Sequence, residues 1–484
     1  MKRAGIILGF MALTACSTLP NLAGEPVVIF PVAPDAPETW AALGVSGDVP
    51  TTDWLAQFDD QAMIDLVTEA LAANPSIRSQ YYVVAATRAQ ARSTYGRSLP
   101  NLSVSGSVGG TSTYFEIGGT DGRSNNPSFG LGADLSWEAD LWGRIRAGVD
   151  AAEADLAASE ADLAAARLSI AAQTAIAWID LNEALGQERV AVLTYEARKR
   201  ALALTERRIA RGLTNALDVR TARTTLASSE AAIAARRQAS GNATRRLEVL
   251  LGRYPKAELD APAELPSLAP ILAGGNPTLL LSRRPDIAAA EARIKAAGLR
   301  AEQARMALLP GLRITGSVSN TEDNIVDALD PTRVAARLLA SISAPIFNGG
   351  ALKADRDAAL ARARASVELY AATTLTAWRE VEDALAADTL LAQQEDAQSR
   401  ALEEARLAED LATRQYTNGL VSIFNFIDSQ TRRLNAESNL IAARSARASN
   451  RVRYHLALGG GLPVTEQQVP SVAGTSSTEK AVLP

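Results

Sequence analysis

The chain has 484 residues, a formal net charge of -5 and a composition that is 47% hydrophobic but only 5% aromatic. No basic block stands out, which leaves nucleic-acid binding without support. One Cys and one His exclude an intrachain disulfide and any His-rich or Cys-rich metal site, and His455 reads as a packing or surface residue. Alanine supplies much of the apolar share. Together with Leu, Glu, Arg and Gln at helical spacing, it predicts long helices that meet through small side chains.

Residues 1–15 read as an export signal. Lys2 and Arg3 form a positive head, and Ala4 to Leu13 form an apolar stretch too short to span a bilayer. Removing this leader would take the charge to -7. The segment Leu13-Thr14-Ala15-Cys16 resembles a bacterial lipobox, so Cys16 is expected to carry a diacylglyceryl group and, after cleavage, an N-acyl chain. A plain secretory signal with an incidental cysteine is the alternative. Ser17, rather than Asp, points to the outer membrane by resemblance to lipoprotein sorting in Gram-negative bacteria. Residues 16–57, with prolines at 20, 26, 31, 34 and 37, read as an extended strap.

The rest of the chain repeats itself. Asn74-Pro75-Ser76-Ile77 matches Arg284-Pro285-Asp286-Ile287 at an offset of 210, and Leu99 to Ser107 matches Leu309 to Ser317 at the same offset. Trp178 to Leu185 answers Trp378 to Leu385. Gly212-Leu213 answers Gly419-Leu420, and Leu251-Gly252 answers Leu458-Gly459. A tandem duplication follows, with a first repeat over 58–252, a Pro- and Gly-rich connector over 253–284, a second repeat over 285–462 and a tail over 463–484. Each repeat runs from a helix through a β-hairpin (101–142, then 311–347) into long helices (143–252, then 350–460).

In the hairpins Leu102, Val104, Gly106 and Val108 alternate with Ser103, Ser105, Ser107 and Gly109. The same period of two recurs over Phe129–Trp137, Leu312–Ser319 and Leu338–Ala344, so each strand has one apolar face and one small or polar face. Turn-forming tips are expected around Gly118–Asn126 and Asp323–Pro331. Four strands of about ten residues suit a membrane barrel but cannot close one. Two copies would give a filled eight-stranded barrel, and three would give twelve strands around a passage. Trp137 and Trp142 suit a membrane boundary, with core packing the alternative for Trp142.

Gly143–Arg211 and Gly350–Asn418 are each 69 residues without proline, on the order of 100 Å if fully helical. A break near Gly186 would make the first of them two stacked helices. Leu156, Leu163 and Ile170 follow a seven-residue spacing, as in coiled coils.

These features together resemble the TolC-like outer membrane factors, and within them the NodT-type lipoproteins. The resemblance rests on the lipobox, Trp54-Leu55-Ala56-Gln57-Phe58-Asp59-Asp60, the duplicated Leu-Pro hairpins, Asp140-Leu141-Trp142-Gly143-Arg144 and Pro345-Ile346-Phe347-Asn348-Gly349-Gly350. It covers nearly all of residues 16–463. The resemblance implies a membrane α+β fold: a homotrimer with a 12-stranded β-barrel in outer-membrane lipid on a long periplasmic α-helical barrel. It also implies a periplasmic adaptor protein and an inner-membrane pump, often of the resistance-nodulation-division type, with the energy coming from the pump. Adaptors would dock at the helix-reversal tips Gly212, Leu213, Gly419 and Leu420. Asp428 and Phe424 match an aspartate ring and an apolar ring at the periplasmic aperture. Arg414 and Tyr416 are candidate donors, and Asp218 a candidate acceptor, of a clasp that holds the aperture shut. Thr431 stands where a basic residue is common, with Arg432 beside it, which leaves the clasp pattern open. The outer-membrane component of a type I protein secretion system and a periplasmic coiled-coil adaptor are the alternative readings. With one His, no free thiol after lipidation and no phosphate-cradling loop, neither an enzyme nor a cofactor is expected beyond the lipid on Cys16, and nothing in the sequence names the cargo.

Overall fold

In the computed structural model the described residues are 30, 34–42, 54–118, 120–262, 264–266, 268, 271 and 276–461. Cys16, the leader and the tail beyond residue 461 lie outside them.

A short helical turn at Leu55–Phe58 leads into α1 (Gln61–Ala73) and α2 (Pro75–Gly96), then β1 (Asn101–Ile117) and β2 (Thr120–Ala139). The long α3 (Arg144–Ala210) and α4 (Ala216–Leu250) complete the first copy. The second copy comprises α5 (Pro277–Leu281), α6 (Pro285–Met306), β3 (Gly311–Glu322), α7 (Ile325–Ala328), β4 (Ala335–Ser343), α8 (Ala351–Thr417) and α9 (Ile423–Ala457). Helices α2 and α6 have 22 residues each, α3 and α8 have 67 each, and α4 and α9 have 35 each. The duplication is therefore kept to the residue in every long helix.

No break occurs at Gly186; α3 is continuous. Gly186 is buried against neighbouring helices, and that packing outweighs the roughly 1 kcal/mol a helical glycine costs. One matched segment does shift. Trp178 lies 34 residues beyond the start of α3 and Trp378 only 27 beyond the start of α8, one heptad apart. Both tryptophans clamp the segment before the repeat's upper helix. The Trp178 indole donates to Asp60 Oδ2 at 2.7 Å and the Trp378 indole to the Pro277 carbonyl at 3.1 Å. The first copy has a 13-residue α1 at this level and the second only a 5-residue α5.

The four strands form one antiparallel sheet in the order β1-β2-β3-β4. The first hairpin departs from expectation. It reverses at Gly118 (φ 62), while residues 120–126 belong to β2, so its strands run to 17 and 20 residues instead of about ten. Pairing extends unbroken from Asn101↔Ser136 to Ile117↔Thr120, and the Phe115 ring lies over Gly122, where any Cβ would stand 2.5 Å from it. The second hairpin has shorter strands, of 12 and 9 residues, and a wider reversal through α7 and a turn at Pro331–Arg333. Asn320 holds that reversal in place, its amide donating to the carbonyls of Asp327 at 2.8 Å and Ala328 at 3.0 Å.

Below the sheet, α2 packs on α3, and α6 packs on both α8 and α3. Further down α4 packs on α3, while α9 packs on α8 and α3. Each copy thus pairs its upper and lower helices with its own long helix, and the second copy also leans on the first. Two apolar cores mark the level where the connector and strap cross. One gathers Trp54, Phe58, Met63, Trp178 and Leu247, and the other gathers Trp40, Ile287, Tyr370, Trp378 and Tyr454. No described helix is long and apolar enough to cross a membrane.

Candidate functional site

Three levels of the molecule carry features that ordinary packing leaves unexplained. The first is the sheet. Residues paired across antiparallel strands share a face, and the register puts Leu102, Leu135, Leu312 and Ile342 on one side, with Val104, Ala133, Val318 and Ala336 beside them. The opposite side carries Ser103, Asp134, Ser317 and Arg337. The apolar side is uncovered: Leu102, Val104, Val108, Leu338 and Ile342 are all exposed. An apolar sheet face of this extent, with a hydroxyl-rich and charged reverse, is what a wall between lipid and water requires. Trp137 lies on the apolar side at its helix-proximal end and donates to the Ser98 carbonyl at 3.0 Å. Trp142, half exposed, donates to the Pro310 carbonyl at 2.6 Å, so it ties the two strand–helix joints together.

The second level is the belt where strap and connector cross the helices. Glu248 is buried on α4. Burial works against its charge, but the N–H groups of Ala257 (2.8 Å) and Glu258 (2.9 Å) outweigh it and hold its carboxyl below the ordinary glutamate range. His455 occupies the corresponding place on α9. It is 3% exposed, stacks on Trp54 at 5.7 Å and has Nε2 3.1 Å from Gln57 Oε1. Burial, with Arg451 nearby, lowers its pKa to about 4, so it is a neutral packing residue. Asp388 on α8, 4% exposed, lies 3.4 Å from Arg451 and 3.9 Å from Arg447, and it accepts the Ile271 N–H at 3.1 Å. Arg447 also reaches Glu395 at 2.8 Å. Among the described residues no group of His, Cys, Asp or Glu could hold a metal ion.

The third level is the far end of the helices. Gly212 (φ 69) and Gly419 (φ 79) end α3 and α8 in the left-handed region, and Asn215 and Ser422 cap the helices that follow. Leu213, Leu217, Leu420 and Phe424 are exposed there and present a set of apolar knobs. Asp428 is exposed one turn further along α9 and pairs with Arg432 at 2.7 Å.

The clasp candidates do not meet one another within the chain. Arg414 is exposed and pairs with Asp410, and Asp218 accepts from the Thr214 hydroxyl. Tyr416 is buried, its hydroxyl 3.0 Å from Thr205 Oγ1 and its ring stacked on Phe426 at 5.0 Å. Arg208 lies over that ring at 4.8 Å and donates to the Tyr416 carbonyl at 2.6 Å. One heptad and a half higher, buried Arg198 crosses from α3 to Gln430 (3.0 Å) and Thr431 (2.5 Å) on α9. Thr205, Arg208 and Arg198 thus fasten the second helical hairpin to α3, and sequence reasoning missed all three. The signal lies in the duplication: at an offset of 207 the second copy has Ala412, Gln415 and Ala405 in their places.

The outer membrane efflux protein family model matches residues 66–253 and 276–460, one stretch for each copy. The chain is 30% identical to the pyoverdine export outer membrane protein OpmQ of Pseudomonas aeruginosa, over 95% of this chain and 97% of that protein. It is 27% identical to the cation efflux system protein CusC of Escherichia coli K12, over 93% and 97% respectively. The solved outer-membrane channel OprN shares 28% identity with a TM-score of 0.81, covering 89% of this chain and 99% of that one.

Proposed function

The chain belongs to the outer membrane efflux protein family, and from that premise we propose that three copies close one twelve-stranded barrel in the outer membrane and conduct cargo passively from the periplasm to the exterior. The observation that carries this reading is the open sheet. Strands β1 and β4 lie at its two edges, and an unpaired edge in lipid leaves backbone donors and acceptors without partners. Three copies remove every edge and leave a passage wide enough for water. The lipid on Cys16 anchors each chain beside the barrel.

The helices continue the duct through the periplasm to the tips at Gly212-Leu213 and Gly419-Leu420. The exposed leucines there give an adaptor an apolar surface to grip, and the adaptor joins the duct to an inner-membrane pump of the resistance-nodulation-division type. Cargo choice rests with that pump. OpmQ and CusC are named for pyoverdine export and cation efflux respectively, so similar ducts serve chemically unlike cargo. Asp428 and Phe424 line the aperture. Three carboxylates at ~8 Å repel by only about 0.5 kcal/mol per pair in water, so the ring biases ions and does not lock the gate. Closure comes from the clasp region, where Tyr416 holds the end of α8 against α3.

The test is conductance in planar bilayers. The wild-type trimer is expected to show a small, nearly closed conductance, and Tyr416→Phe with Arg414→Ser a larger one. An unchanged conductance overturns the clasp. A deletion strain that exports as well as its parent overturns the efflux role.

A further inference from the structure

Resting on the barrel reading above, we infer that α7 is a membrane-interface helix. It lies on the lipid side of the barrel wall and sets Ile325, Val326 and Leu329 among the acyl chains of the outer leaflet. The second hairpin does not simply turn above the barrel. Asn320 stands opposite Leu131, so it shares the side of the sheet that carries Val318 and Leu312. There its amide donates to the carbonyls of Asp327 at 2.8 Å, Ala328 at 3.0 Å and Asp330 at 3.3 Å. The reversal is thereby folded back over the outer side of the sheet, where α7 packs against β2 and β3.

The helix is seated the wrong way round for water. Its buried residue is Ala328, 4% exposed. Val326 lies about 200° further around the axis and is 72% exposed. Ile325 and Leu329 flank it and are more than half exposed, and Val334, where the chain turns back towards β4, is exposed as well. An outward patch of this kind marks a surface that something apolar covers. The first hairpin supplies the contrast. Beyond Val108 its outward pairs include Ser112 with Asn125, Tyr114 with Arg123 and Glu116 with Asp121, which suit water.

Height along the barrel decides what covers α7. Eight residues separate Leu312 from Asn320, which is ~21 Å of rise at ~3.4 Å per residue and a tilt of about 40°, against an apolar band about 25 Å tall. The helix therefore sits at the outer edge of that band and continues the lipid-facing sheet. Arg333 reaches Glu322 at 3.7 Å, Asp327 at 3.4 Å and Asp330 at 3.7 Å, which ties these carboxylates together at the boundary. With Asp323 the reversal stays acidic, so it is the acyl chains and not the phosphates of the leaflet that attract it. The acyl chains expected on Cys16 hold the inner leaflet, so each copy would be fixed from both sides of the membrane.

Single-cysteine labelling tests the placement. Cys16 is the only cysteine in the chain, so one introduced thiol reports one place, and wild-type protein carried through the same labelling sets the background. Val326→Cys, Val318→Cys and Glu116→Cys are each labelled with a polarity-sensitive fluorophore. They are then placed in phosphatidylcholine vesicles doped with lipid spin-labelled near the head-group end of its acyl chain. The Val326 label should emit to the blue and lose as much emission to the spin label as the Val318 label does. The Glu116 label should emit to the red and be quenched by iodide instead. A Val326 label that behaves like the Glu116 label, while the Val318 label stays in lipid, overturns the interface helix and leaves the barrel standing. A blue-shifted Val326 label untouched by either quencher puts protein over the helix and overturns the inference too. If iodide also quenches the Val318 label, the sheet lies in water and the barrel reading falls with it.

Discussion

The two copies of the repeat agree in their helices and differ in their hairpins and buried charges. Helix lengths of 22, 67 and 35 residues recur unchanged, because a one-residue insertion would rotate every downstream contact of a coiled coil by about 100°. The hairpins carry no such constraint beyond the shared sheet, and the first one grows to nearly twice the second's strand length. Equivalent contacts recur at the belt. Asn74 donates to the Leu250 carbonyl at 2.8 Å, and Arg284 donates to the Ala457 carbonyl at 2.9 Å. Arg237 meets Glu188 at 3.2 Å, and Arg444 meets Glu395 at 3.2 Å. Where the second copy has Asp388, Arg447 and Arg451, however, the first has Leu181, Ser240 and Thr244. At this place the first copy has one apolar side chain and a Ser240 hydroxyl that donates to Glu188 at 2.7 Å, whereas the second has a buried ion network.

That difference can be broken. Asp388→Ala would remove the buried carboxylate that Arg451 and Arg447 share, with Arg447 keeping Glu395, and should cost about 3 kcal/mol, read as a lowered urea midpoint of the purified protein in detergent. Replacing the whole network by the first copy's residues (Asp388→Leu, Arg447→Ser, Arg451→Thr) should recover most of that loss, since no buried charge is then left unpaired. A triple variant weaker than the single one would mean the network does more than fill the space.

The corresponding residues Glu248 and His455 sharpen the comparison by pH. His455 titrates at about 4 when folded and 6.5 when unfolded, so the unfolded chain binds the proton first. Stability is full above pH 6.5 and falls by on the order of 3 kcal/mol as pH drops towards 4. Glu248, held below its ordinary 4.5, adds stability that is present above that value and lost only at still lower pH. Melting temperatures across pH 7 to 4 should therefore fall in the wild type and flatten in His455→Gln. A parallel fall in both would remove His455 from the account.

The glycines separate belt from tip. At Gly252 and Gly459 a Cβ would stand 2.8 Å from the Ala73 carbonyl oxygen and 2.9 Å from that of Arg283, on backbones with φ of 71° and 72°. Alanine at either should cost at least ~2 kcal/mol. Gly212 has a similar φ but open space around it, so Gly212→Ala should cost only about 1 kcal/mol in the same unfolding assay.

The duplication, the four strands and their faces were legible because each rests on short-range periodicity and on Leu-Pro and Gly markers. The first hairpin's turn was misplaced because Gly118 to Asn126 are nearly all turn-forming residues. Only the cross-strand pairing, with Phe115 over Gly122, decides that most of them are strand. The belt network stayed hidden for a different reason. On helices this rich in charge, Asp388, Arg447 and Arg451 look like any solvated face; they are buried where α8 and α9 pack together and where the Ile271 N–H reaches Asp388. Within the chain the Tyr416 hydroxyl meets Thr205, and Asp218 meets Thr214. The first pairing depends on how α8 sits against α3, which no spacing in the sequence specifies.

Counting chains in one lipid-embedded particle is the most direct test. Native mass spectrometry of the protein released from nanodiscs should give three chains per particle, in samples from which the same preparation yields a single conducting unit per particle. A particle of one chain that still conducts would contradict the account, because a four-stranded sheet would then have to seal its own edges.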